Sequence, residues 1–77
     1  MSIGQCINQS RRNASLTQKQ LAEKIGMKHS VISKYERNQV SPDVITITKI
    51  AKALGISLKE LLSPMFRDED NESRYLE

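Results

Sequence analysis

Along most of this 77-residue chain, apolar residues return every three or four positions, the spacing that lines one side of an α-helix. Strand-like alternation is confined to one place, Val44-Ile-Thr-Ile-Thr48. Even there Val44, Ile47, Ile50, Ala51 and Leu54 form a stripe at helical spacing, which outweighs the β-branched preference of the segment. The pattern predicts five helices and an all-α fold.

The first helix spans about Ser2 to Asn13, with Ile3, Ile7, Ser10 and Ala14 on one side and Cys6 flanking that face. The second starts at Thr17, with Gln20 three residues on, a capping box in which each side chain satisfies the other's backbone N–H. It stops at Gly26, a residue free to adopt the left-handed conformation that ends helices. The third runs from Lys28 or His29 to Arg37, before Asn38, the next-best residue for a left-handed stop. Ser41-Pro42 reads as a capping serine with proline at the first helical position of the fourth helix, which ends at Gly55. Ser57 and Glu60 make a second capping box for a short fifth helix that Pro64 closes. Residues 1–62 thus form one domain, and 63–77 are left as an acidic tail, mobile or part of an interface between two copies.

The break at Gly26 carries the functional argument. Few residues separate Ile25 from His29, so the second and third helices must cross steeply and pack closely. Ala22 provides the small residue that close crossing needs, while Leu21, Ile25, Met27, Ile32 and Tyr35 point into the angle. This is the layout of a helix-turn-helix, in which the second helix protrudes far enough to enter a DNA major groove.

Charge sharpens the picture. Residues 1–62 hold ten basic against four acidic side chains, a net +6, and residues 63–77 hold two against five, a net −3. A basic domain suits a polyanionic partner, although a solvated surface explains many imbalances of this size. Cys6 is the sole cysteine and His29 the sole histidine, so neither an internal disulfide nor a closed zinc site can form. Without a long apolar run or a secretory-type N-terminus, the expectation is a soluble cytoplasmic protein. Nothing resembles a catalytic constellation or a cofactor site, and no enzyme function is expected.

From Gln18 to Arg37 the chain reads QKQLAEKIGMKHSVISKYER, and Leu21, Ala22, Ile25, Gly26, Met27, Ile32 and Tyr35 sit at the structural positions of a known pattern. The sequence resembles the Cro and phage-repressor type of helix-turn-helix proteins, also called Xre-like. The likeness extends through Ser41-Pro42 to IAKALGISLKELL at residues 50–62, and leaves out the tail. Two positions depart from the family, Ser15 and Asn38, where glycine is usual or frequent.

The resemblance implies a compact five-helix, lambda-repressor-like domain that binds duplex DNA as a homodimeric transcriptional regulator, with repression the default. It assigns base contacts to Lys28, His29, Ser30, Ser33 and Lys34. Helical phase agrees, because residues 29, 30, 33 and 34 share a face opposite Ile32 and Tyr35. The plainer alternative is a solvated face of an amphipathic helix, and for Ser30 and Ser33 it weighs as much. Gln18 stands where free N–H groups and the helix dipole favour a phosphate, and Arg37, Asn38 and Gln39 would flank the groove. The family also commonly pairs the residues equivalent to Arg11 and Glu36, and places its two-fold contact near the fifth helix. Here Ile56, Leu58, Met65 and Phe66 are the apolar residues available for such a contact, unless Met65 and Phe66 fold back on their own domain. The competing function is an antitoxin or anti-regulator whose main partner is a protein.

Overall fold

Ser2 begins the fold by capping α1 (Ile3–Asn13) in the computed structural model, which describes residues 1–66. Its hydroxyl accepts from the N–H of Gln5, and the Gln5 side chain accepts from the N–H of Ser2. The same reciprocal box opens α2 (Gln18–Ile25) through Thr17 and Gln20, and α5 (Leu58–Leu62) through Ser57 and Glu60. Between them lie α3 (His29–Glu36) and α4 (Val44–Ala53). Five α-helices and no strand make up the described residues, an all-α fold.

Four helices end by one device. Ser15, Gly26, Asn38 and Gly55 take φ of 59°, 69°, 58° and 73°, and each reverses the chain. The following N–H then returns to a carbonyl inside the helix: Leu16 to Arg11, Met27 to Ala22, Gln39 to Lys34 and Ile56 to Ala51, at 2.9–3.1 Å. These bonds satisfy carbonyls that a helix end otherwise leaves orphaned. Serine at 15 adopts a left-handed geometry that glycine takes more readily, against a cost of about 1–2 kcal/mol for a side chain there.

The start of α4 differs from the expectation. Asp43, not Ser41, is the cap: its Oδ1 accepts from the N–H of Thr46 at 2.7 Å, and Pro42 lies ahead of the helix rather than at its first position. A carboxylate adds favourable charge at the positive end of a helix, which a serine hydroxyl does not. The N–H bond of Thr46 keeps the Asp43 carboxyl below its usual pKa. The first turn of α4 therefore projects past the core, and Val44 is 74% exposed rather than part of the buried stripe. Ala14, at the end of α1, is likewise exposed.

Ile7, Leu21, Ala22, Ile32, Tyr35, Ile47, Ile50, Ala51 and Leu61 form one continuous core drawn from all five helices. Ile25 and Met27 pack against it from the bend, and Ile56 and Leu58 from the approach to α5. Ser63–Phe66 continue from α5 as a single 3-10 turn packed on α1 and α5, with Pro64 inside it. That turn belongs to the domain rather than to the acidic tail, and the rest of that tail, 67–77, lies outside the described residues.

Cys6 is fully buried, and burial pushes its thiol pKa up, only partly offset by the N-terminal charge and the Met65 backbone. That leaves it an inert packing residue. No described helix is long and apolar enough to cross a membrane.

Candidate nucleic-acid interface

The two sides of α3 differ in burial. Ile32 and Tyr35 turn inward and are buried at 0% and 6% exposure. Lys28, His29, Ser30 and Lys34 are exposed and Ser33 is half-buried; His29, Ser30, Ser33 and Lys34 share the helical face opposite Ile32 and Tyr35, and Lys28 precedes it at the cap. Lys28 sits at the cap position in extended backbone, and its side chain makes no cap bond. The first turns of α2 and α3 contain no acidic residue, so the positive ends of both dipoles are left uncompensated beside exposed lysines.

Behind this face stands a polar hub centred on Glu36, the last residue of α3. Arg11 of α1 donates its Nε to Glu36 Oε2 at 2.6 Å and its Nη2 to Oε1 at 3.0 Å, while its Nη1 donates to the carbonyl of Leu16 at 2.7 Å. Asn8 donates to the same Oε1 at 2.8 Å, and Gln18 of α2 does so at 3.0 Å. One carboxylate therefore ties the first three helices together. Burial alone raises the pKa of Glu36, but the bonds from Arg11, Asn8 and Gln18 and the Arg11 charge outweigh it and hold the carboxyl below its usual 4.5. None of the described buried side-chain N or O atoms lacks a partner.

Gln18 goes on to link this hub to the head of α3, its Oε1 lying 2.9 Å from His29 Nε2. The Gln18 amide is thus engaged at both ends within the protein. The Asn38 side chain is bonded within the protein. Its Oδ1 accepts from the N–H of Gly4 at 3.1 Å and its Nδ2 donates to Ser2 Oγ at 2.9 Å, tying the end of α3 to the start of α1. Only one amide hydrogen is left over for any phosphate. Arg37 and Gln39 are exposed, and among the described residues the Arg37 side chain makes one long bond, 3.4 Å to the carbonyl of Ser33.

Two supports escaped the sequence reading. Asn8 lies one turn before Arg11 on α1, and that shared face was the available signal. Gly4 is the closer constraint: a Cβ there would press into the carbonyl oxygen of Tyr35 and come within 2.7 Å of Asn38 Oδ1 and 2.9 Å of the Glu36 carbonyl. Only glycine lets α1 lie so near the end of α3.

Of the four residues proposed for a two-fold contact, Ile56 and Leu58 are half-buried against their own core, and Met65 and Phe66 are 36% and 68% exposed. Val40, Val44 and Ile45 form another exposed apolar set, near the loop after α3. No group of three potential metal ligands occurs among the described residues.

A helix-turn-helix family model matches residues 7–61. Multiprotein-bridging factor 1 of Candida albicans is 38% identical over 68 residues, covering 86% of this chain and 45% of that protein. The restriction-modification controller protein C.AhdI of Aeromonas hydrophila superimposes with a TM-score of 0.73 at 34% identity, over 77% of this chain and 89% of that one. The biofilm master regulator SinR, solved in complex with DNA, gives a TM-score of 0.73 at 35% identity, over 79% and 98% of the two chains. This chain spans about half the length of the curated relatives it matches. With the bend at Gly26, the α2–α3 pair and the match over residues 7–61, the chain belongs to the helix-turn-helix family of the Cro and phage-repressor type.

Proposed function

We propose that this protein is a sequence-specific duplex-DNA-binding transcriptional regulator, a cytoplasmic repressor that occupies a two-fold operator as a homodimer, and not an enzyme. The observation that carries the proposal is the outward face of α3, where His29, Ser30, Ser33 and Lys34 stand together with Lys28 at the cap, while Glu36 ties the helix to α1 and α2. An unbraced surface helix would have no need of three donors converging on one carboxylate. The DNA-bound state of the structural neighbour SinR supports the same use of the fold.

In this reading the head of α3 enters the major groove, where Lys34 and His29 meet base edges. Arg37 grips phosphate as a planar, permanently charged donor, and the N–H groups that open α2 meet the backbone on the other side. Phosphate contacts set affinity and register, while base contacts set sequence preference.

Equilibrium binding to duplex DNA across a salt series tests the proposal. If a dimer neutralises about 6–10 phosphates, log affinity should fall against log salt with a slope near −0.9 per contact. Association that ignores salt, or no association with any duplex, would shift the function to a protein partner, and the exposed Val40, Val44 and Ile45 would be the surface to examine.

A further inference from the structure

The side-chain amide of Gln18 has two ends and two neighbours, and their chemistry decides which way round it sits. Glu36 Oε1 lies 3.0 Å from the nitrogen and His29 Nε2 lies 2.9 Å from the oxygen. An amide and its flipped form have nearly the same shape, so orientation must follow from donors and acceptors. The ionised Glu36 carboxylate can only accept, and it already draws in Arg11 and Asn8. Gln18 must therefore turn its NH2 to Glu36. Its carbonyl oxygen, an acceptor, is left facing His29.

An acceptor opposite Nε2 requires a hydrogen on that nitrogen. A neutral imidazole carries one ring hydrogen, so placing it on Nε2 leaves Nδ1 with a lone pair. Nδ1 makes no hydrogen bond among the described residues, and His29 is exposed at the head of α3.

We propose that Glu36, acting through Gln18, fixes neutral His29 as the Nε2–H tautomer, so that α3 offers DNA an acceptor at this position and selects a base with an exocyclic amino group, cytosine N4 or adenine N6. Only those two bases present a donor in the major groove. Gln18 and Glu36 are positioning residues here, and His29 is the one that touches DNA. Without the relay the ring is free to present either a donor or an acceptor, and its reading becomes degenerate. The base-reading half of this inference rests on the DNA-binding function proposed above, and the tautomer half does not.

The two halves have separate tests. Long-range 15N–1H correlation spectra of the free protein, recorded with the ring neutral, should show Nε2 as the hydrogen-bearing nitrogen and Nδ1 as the unprotonated one. In Gln18→Met, which keeps side-chain length at a partly exposed position, the ring should become a mixture of tautomers while the remaining spectrum still reports a folded domain. A hydrogen on Nδ1 in the wild type, or an unchanged tautomer in Gln18→Met, would overturn the relay.

Selection from a pool of random duplexes should show one base pair of each half-site whose preference is lost in His29→Ala. Gln18→Met should weaken that preference by up to about tenfold, the worth of one hydrogen bond, and leave preferences elsewhere in the half-site unchanged. Because every base pair holds one amino-bearing base, single-group analogues decide the contact. At the position lost in His29→Ala, replacing adenine by purine or cytosine by 2-pyrimidinone should remove the preference. Binding insensitive to loss of that amino group, or a profile unaffected by Gln18→Met, would overturn the base-reading half. Failure to enrich any duplex would remove that half together with the DNA-binding function, while the spectra would still decide the tautomer.

Discussion

Arg11 of α1 and Glu36 of α3 meet at 2.6 Å, with their side chains only 12% and 4% exposed. Two more side chains, Asn8 and Gln18, donate to the same carboxylate. Removing Glu36 therefore strands a guanidinium and two amides at once. Breaking a buried pair from one side costs about 3–5 kcal/mol, comparable with the whole stability of a domain this small. Glu36→Ala should leave the chain largely unfolded at room temperature. Asn8→Ala, which removes one bond to a charged group, should cost only about 1.5–3 kcal/mol. Urea denaturation of the two variants checks the order, and equal small losses would mean that the hub does not hold the helices together.

The same carboxylate gives stability an acid dependence of definite sign. Its folded pKa lies below its usual 4.5, so the folded state favours the ionised form more than the unfolded chain does. The contribution is then fully present above pH 4.5 and is lost as pH falls below that value through the folded pKa. Asp43, bonded to the N–H of Thr46, acts in the same direction. Below pH 4.5 the stability of Glu36→Gln should fall less steeply than that of the wild type, by at most about 1.4 kcal/mol per pH unit, the effect of one proton. Parallel acid limbs for the two proteins would place the titration elsewhere.

What could be read in advance was what local chemistry dictates. The boxes at Thr17 and Gln20 and at Ser57 and Glu60, and the left-handed Gly26, involve residues a few positions apart, so residue type and spacing suffice. Ser41-Pro-Asp43 placed two capable caps side by side, and the pattern of residue types could not choose between a hydroxyl and a carboxylate. Gly4 and Asn38 were opaque for a different reason. Glycine at 4 is demanded by the carbonyl of Tyr35 and the Asn38 side chain, which only the tertiary fold brings there. Asn38, read as a groove-flanking amide, also ties α3 to α1. The exposed face of α3 followed from helical phase, whereas the bonds joining Glu36, Gln18 and His29 depend on how helices pack and carry no sequence signature.

Burial divides the proposed two-fold patch. Ile56 and Leu58 already contribute to the core, and Phe66 is the apolar side chain with most of its surface free. Substituting Met65 and Phe66 together by serine should give a folded monomer, because neither is needed for the core. Leu58→Ser should instead lower the melting temperature. Sedimentation equilibrium with circular dichroism separates these outcomes, and an intact dimer in the double variant would move the interface to Val40, Val44 and Ile45 or beyond.

The claim that α3 reads DNA is tested most directly by selecting bound duplexes from a random pool with the wild type and with His29→Ala, Lys34→Ala and Arg37→Ala. Each of the first two variants should lose preference at its own base pair of the half-site, at a cost of about 1–3 kcal/mol, and keep the others. Arg37→Ala should weaken binding to all sequences alike, with a salt slope smaller by about one contact, because a phosphate carries no sequence information. Wild-type selection profiles from both His29→Ala and Lys34→Ala would contradict the account and show that α3 does not contact the bases.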